Sequence, residues 1–216
     1  MLGPPASGKT SIGNKLSTRP GVEVLRTGHL LRREIERGTA LGERVRRAVE
    51  QGDLAPIESV IEVLTGALAG TQSAVLVFDG FPRSQAQIAP FLDLCRAEDI
   101  VLRAVVVLIL GEEEVRHRLM GRRVCSKCGR AYHLDYDPPN VQGRCDQCGA
   151  SLVQREDDHS ERITRRLANY RELTVPVIEF FERDHADLTR RVPAEGSPEH
   201  VLVTVTDLLE EVEVLA

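Results

Sequence analysis

Two groups of residues combine type and spacing in a way that does chemistry. The first is Gly3-Pro4-Pro5-Ala6-Ser7-Gly8-Lys9-Thr10, which fits the phosphate-loop pattern G-x-x-x-x-G-K-[ST]. The glycines of such a loop let backbone N–H groups converge on phosphate oxygens. The helix that follows turns its positive N-terminal end toward the same anion. Lys9 then reaches the β- and γ-phosphates, and Thr10 the shell of a bound Mg²⁺. A short pattern also arises by chance in a Gly-Pro-rich turn. Here a helical stretch follows it, and the only other lysines are Lys15 and Lys127, against 25 arginines. The aliphatic run 74–78 ends at Asp79-Gly80, a second feature of a nucleotide fold, with Asp79 placed to hold Mg²⁺ directly or through water.

The second group is Cys125-x-x-Cys128-Gly and Cys145-x-x-Cys148-Gly, with 16 residues between the pairs. Two such pairs make a Cys₄ structural metal site; Zn²⁺ is favoured, and iron is left open by spacing alone. Gly129 and Gly149 allow the tight turns that aim backbone N–H groups at sulfur. A closed four-thiolate cage has no open position, so its work is to fold the segment around it. The fifth cysteine, Cys95, follows Phe91, Leu92 and Leu94 and reads as a buried helical thiol.

These residues must be held by a fold, and 216 residues suffice for one main domain with an inserted module. With 42% hydrophobic and 28% charged residues the chain can bury a core; having no Trp and few other aromatics, that core is mostly aliphatic. A net charge of −5 argues against a general nucleic-acid binder. No apolar run reaches the roughly 18 residues of a membrane span, and no leader segment opens the chain, so a cytoplasmic location is expected. Helices are predicted over about 9–17, 28–37, 41–51, 56–69, 84–97 and 112–120, strands over 21–25, 74–78 and 105–110. After a Cys-, Gly- and Arg-rich stretch at 121–154 come a long helix over about 160–183 with a break near Pro176, a strand at 188–192 and a helix at 199–214. Strands alternating with helices imply a parallel sheet covered on both faces, an α/β fold. Only Met1 and Leu2 precede Gly3, so the chain is expected to lack most of the strand before the phosphate loop, which would leave unpaired backbone groups.

Phosphate loop, Asp79-Gly80-Phe81-Pro82-Arg83 and the cysteine insert stand in the order found in adenylate kinases, and the chain resembles the long-lid, zinc-bearing form of that family over nearly its whole length. Asp79–Arg83 is similar to the family's D-G-F-P-R, with Gln87 at the matching spacing. Leu25-Arg26-Thr27-Gly28-His29-Leu30-Leu31-Arg32 is similar to I-S-T-G-D-M-hydrophobic-R, and Gly52-Asp53-Leu54-Ala55-Pro56 to G-D-L-V-P. The resemblance implies a core over 1–25, 56–117 and 159–216, a nucleoside-monophosphate arm over 26–55 and a zinc lid over 118–158. It implies ATP + AMP ⇌ 2 ADP with Mg²⁺, by a monomer that takes small nucleotides and neither nucleic acid nor membrane. ATP would meet Ala6, Ser7, Gly8, Lys9, Thr10 and Ser11, with Arg118, Arg122, Tyr136 and, loosely, Pro198. AMP would meet Thr27, Arg32, Asp53, Leu54, Ala55, Gly80, Arg83 and Gln87, with Arg155 and Arg166 closing over the transferring group. The catalytic set implied is Lys9, Asp79, Arg83, Arg122, Arg155 and Arg166.

Three positions depart from the family pattern. His29 replaces the Asp of T-G-D, which predicts weaker Mg²⁺ dependence or a lower rate. Ala6 replaces a loop glycine, and Thr10 the Gly that follows the lysine. The alternatives are a kinase of another nucleoside monophosphate, or a nucleotide-binding zinc-ribbon protein without transfer activity. Arg32 and Arg83 beside the phosphate loop weigh against the second.

Overall fold

The computed structural model describes residues 1–196, 198–212 and 214. Strands β1 (Val22–Arg26) and β2 (Val75–Asp79) pair in parallel, as do β3 (Val105–Ile109) and β7 (Thr189–Pro193). Met1 and Leu2 take the place between the two pairs. Gly80 N–H donates to Met1 O at 3.0 Å, Leu2 N–H to Val106 O at 2.8 Å, and Leu108 N–H to Leu2 O at 2.9 Å. The short run before Gly3 is thus paired on both sides, which joins the four strands into one layer.

Adjacent residues of these strands enter opposite cores, which is why each strand reads as a continuous apolar run. Leu25, Phe78, Val105 and Val107 pack with α2 (Thr27–Glu36), α3 (Ala40–Gln51), α4 (Ile57–Leu68), α5 (Ile88–Ala97) and α8 (Val175–Asp184). Val24, Val77, Val106, Leu108 and Val192 pack with α1 (Lys9–Leu16), α6 (Glu112–Gly121), α7 (Ser160–Asn169) and α9 (Pro198–Glu211). Cys95 is buried in the first core, as its neighbours predicted.

The expected helices and strands are all present. The 84–97 stretch opens with a 3₁₀ turn, Gln85–Gln87, before α5. The long helix over 160–183 breaks into α7, a π-helical segment Tyr170–Thr174 and α8. Pro176 is the cause: it has no N–H for the carbonyl four residues back, and its ring crowds that carbonyl. The cysteine-rich stretch folds apart from both cores as a three-stranded antiparallel sheet, β4 (Arg122–Cys125) between β5 (Ala131–His133) and β6 (Leu152–Val153). Among the described residues no helix is long and apolar enough to cross a membrane.

Candidate active site

The phosphate loop leaves the sheet at Gly3. A Cβ there would lie 2.6 Å from Leu108 O, and φ is +138°, so only glycine fits. Ala6 also has positive φ, 56°, a conformation that suits glycine better. Lys9 folds over the loop and donates to Gly3 O at 2.9 Å, Pro4 O at 2.6 Å and Ser7 Oγ at 3.0 Å. Burial pushes the Lys9 amine down to about 7; Asp79 opposes this, while Arg83, Arg166 and Arg122 add to it. Gly8 and Ser7 complete the cradle, and Ser11 is exposed. Thr10 Oγ1 donates to Asp79 Oδ2 at 3.1 Å. Two hard oxygen donors thus meet where the loop becomes a helix, the ligand chemistry that suits Mg²⁺.

A ring of arginines surrounds this cradle. Asp158, fully buried, accepts two bonds from Arg122 (2.6 and 2.7 Å) and one from Arg166 (2.8 Å). Arg166 also meets Asp157 at 3.1 Å. Burial raises the Asp157 carboxyl, but Arg166, Arg122, Arg32 and Arg155 together hold it below its ordinary value. Arg83 Nε donates to Gly80 O at 2.6 Å, and Thr174 Oγ1 donates to Arg83 O at 2.9 Å. Arg32 and Arg155 are half-buried, and their guanidiniums make no ion pair or hydrogen bond among the described residues. Burial pushes both guanidiniums down; Arg122 beside both, and Arg32 beside Arg155, push the same way. Desolvated cations without a bonded partner, beside the arginine that is felt at Lys9, suit a second anion.

Thr27 and Gln87 are both buried, and Gln87 adjoins Arg83. Thr27 Oγ1 is enclosed without a hydrogen-bond partner, and Gln87 Oε1 accepts from Arg83 N–H at 2.7 Å, leaving its amide NH₂ to donate. Asp53 pairs with Arg165, and Asn169 Nδ2 donates to Gly52 O at 3.1 Å, so the 52–55 turn is tied to α7. Ala55 is buried and Leu54 half-buried beside it. His29 sits at the surface, where partial burial, with Arg32 and Arg26 nearby, keeps its imidazole below its ordinary value.

Arg118 and Tyr136 are not part of this ring. Arg118 Nε donates to Glu114 Oε1 at 2.6 Å, and the Tyr136 hydroxyl meets the same carboxylate at 3.3 Å and His117 Nδ1 at 3.0 Å. The Pro198 side chain, expected near ATP, lies outside the described residues. The stretch Arg155-Glu156-Asp157-Asp158 resembles a border of the family's lid, but sequence reasoning assigned Asp157 and Asp158 no role; theirs emerges only when Arg122 and Arg166 converge on them. Sequence reasoning also passed over Tyr132, whose hydroxyl donates to Cys145 Sγ at 3.3 Å.

The four cysteines lie together, with Sγ···Sγ separations of 3.4 Å (Cys125–Cys148) and 3.6 Å (Cys128–Cys145). A tetrahedral ion with sulfur at about 2.3 Å needs an edge of roughly 3.8 Å, so the donors fit such an ion. The turns at Gly129 and Gly149 have the positive φ expected of them, 72° and 71°. A second group, His117, His133 and Asp135, is close enough for a metal; part of it is bonded within the protein, while His133 Nε2 is enclosed without a partner. His133 Nδ1 accepts from the Asp135 and Tyr136 amides at 3.1 and 3.3 Å, and His117 Nε2 meets Asp135 Oδ2 at 3.0 Å.

Two places for negative charge side by side, one a phosphate loop and one a ring of arginines, are what phosphoryl transfer between nucleotides requires. Fold and site therefore define a P-loop phosphotransferase. The family model described as adenylate kinase matches residues 1–186. The chain is 33% identical to adenylate kinase of Thermococcus onnurineus over 210 residues, 97% of this chain and 92% of that one. It is 35% identical to adenylate kinase of Salinispora tropica over 214 residues, 97% and 96% of the two chains. The chain belongs to the adenylate kinase family, whose members bind ATP and AMP and use Mg²⁺ with ATP.

Proposed function

We propose that the chain moves the γ-phosphoryl group of ATP to AMP, reversibly, giving two ADP. The observation that carries this is the pair of guanidiniums without a bonded partner, Arg32 and Arg155, beside Arg122, which is itself felt at Lys9: a nucleotide hydrolase has no use for a second anion site. In this reading Ala6, Ser7, Gly8, Lys9, Thr10 and Ser11 bind the ATP phosphates, and Arg118, Tyr136 and the backbone near Pro198 serve its base. Arg32 and Arg83 grip the AMP phosphate, while Thr27, Gln87 and the 53–55 backbone enclose its base. The enclosed Thr27 hydroxyl and the Gln87 NH₂ supply the polar contacts a purine needs.

Phosphoryl transfer asks little covalent chemistry of a protein; it asks for alignment and for charge where the equatorial oxygens develop it. Arg122, Arg155 and Arg166 supply that charge in planar forks that do not deprotonate. Asp158 holds Arg122 and Arg166 at one carboxylate, so their placement costs little at the moment of reaction. Thr10 and Asp79 would hold Mg²⁺, which when bound shields the β- and γ-phosphates. Residues 118–158 act as a lid that excludes water, 26–55 as the AMP arm, and the remaining segments as the core. Zn²⁺ in the Cys₄ cage folds the lid; the thiolate donors and their separations support it. Four free thiols at metal spacing suit a reducing compartment, which supports the cytoplasm. We take the working form to be a monomer acting on nucleotides alone.

The test is ADP formation from ATP and Mg²⁺ with AMP, CMP, UMP and GMP supplied separately. ADP formed with AMP alone is expected. Transfer to a different acceptor would make the chain a kinase of that monophosphate, and ATP loss without any acceptor would sink the transfer reading.

A further inference from the structure

Arg26 is the last residue of β1 and stands in register with Asp79 of β2. Val24, two residues earlier, packs on the α1 side of the sheet, and strand alternation sends Arg26 to that side too. Its guanidinium lies along Gly13 of α1: a Cβ on Gly13 would sit 3.7 Å from Nε and 3.8 Å from Nη2. Nε is shut off from solvent and has no hydrogen-bond partner, and Arg26 makes no ion pair among the described residues. Asp79, the carboxylate that bonds Thr10, is the one counter-charge felt at this guanidinium. No mechanism above uses this cation. It stands next to the pair of oxygens that fits Mg²⁺, on a segment whose nearby residue 29 offers an imidazole and no carboxylate.

We propose that Arg26 sets the metal requirement of the nucleotide site. Its permanent charge beside Asp79 weakens Mg²⁺ binding there and supplies part of the positive charge that a triphosphate otherwise draws from the ion. This rests on the phosphate site of the proposed function. A unit charge within roughly 10 Å of a divalent ion, at the dielectric of a protein site, changes the ion's affinity by about tenfold or more.

The test is binding of a fluorescent ATP analogue to the full chain, with Mg²⁺ and in Mg²⁺-depleted buffer; a strong chelator is avoided because it would also attack the thiolate cage. The quantity read is the fold loss of affinity on removing Mg²⁺. For Arg26→Ser the loss should exceed that of the unaltered chain by about tenfold, while Arg26→Lys, which keeps the charge, should stay within about threefold of it. If Arg26→Ser folds poorly, Arg26→Gln keeps the packing on α1 and serves the same comparison. An equal loss in the uncharged variant and the unaltered chain would overturn the proposal, whatever happens to thermal stability, because Arg26 would then only pack on α1. Failure of the unaltered chain to bind the analogue under either condition would instead overturn the phosphate site itself.

Discussion

Lys9, Ala6 and Asp158 each carry a consequence that belongs to a single side chain. Burial holds the Lys9 amine near 7, so above that pH it is largely neutral in the free protein. A triphosphate in the cradle favours the charged form and raises the value. ATP binding at pH 8 should therefore take up close to one proton, and at pH 6, where Lys9 is already protonated, this lysine should contribute none. Calorimetry in buffers of different ionisation enthalpy reads the uptake, and Lys9→Met should remove it. Ala6 is held at φ 56°, which costs an L-residue about 1–2 kcal/mol. After the extra unfolded-state freedom of glycine is subtracted, Ala6→Gly should stabilise the protein by about 0.5–1 kcal/mol in urea unfolding. A lower urea midpoint would mean the loop is not strained. Asp158→Ala removes a buried carboxylate from two guanidiniums at 2.6–2.8 Å. It should cost about 3 kcal/mol of stability and most of the activity; a loss of under about 1 kcal/mol would show that the arginines hold their places unaided.

Elements turn these residues into sites. The β4–β6 sheet is too small to fold on its own apolar contacts, since its core is Cys125, Cys145 and Tyr132 with Ala150 and Leu152 beside them. A metal held by the four cysteines would supply the rest. Stripping it should expose four thiols to a chromogenic disulfide reagent while the larger cores stay folded. Cys95, buried in α5 and with its thiol pushed up to about 11 by burial, should react only on global unfolding. Five thiols reacting together would refute this division. The π-helical segment before Pro176 also does specific work. It turns Thr174 toward Arg83 O, fixing the loop that carries Arg83. Thr174→Val should raise the AMP concentration needed for half-maximal rate several-fold with little change in melting temperature.

At the scale of the molecule, one layer of strands carries both halves of the site on the C-terminal edge of its sheet, and α7 bridges them. From α7 and the turns beside it, Arg166 reaches the phosphate side, while Arg165 and Asn169 hold the 52–53 turn. The Arg165–Asp53 pair is largely exposed, so it contributes at most about 1 kcal/mol. Arg165→Ala should leave the melting temperature nearly unchanged. Its effect should fall on the half-saturating AMP concentration, less than about tenfold, because it loosens the 52–53 turn and not the chemistry. A change in rate at saturating AMP would place Arg165 nearer the reaction than its contacts do.

The local order of the chain was legible because each local signal has a local cause. The G-x-x-x-x-G-K-T spacing fixes a loop and a helix start, C-x-x-C fixes a knuckle, and unbroken aliphatic runs are what a strand buried on two faces requires. Pro176 announced the break in the long helix but not its π form, which depends on what the helix packs against. Sequence alone determined the phosphate loop, the metal cage, the alternation of strands and helices, and which arginines belong to motifs. Tertiary structure alone decided which arginines are paired and which are left for an anion. Arg122 and Asp158 are 36 residues apart, and Thr10 and Asp79 are 69 apart, so their meeting depends on how the sheet and helices assemble. The same holds for Arg26: a strand-end arginine has no meaning in sequence until the register of β1 and β2 sets it beside Asp79.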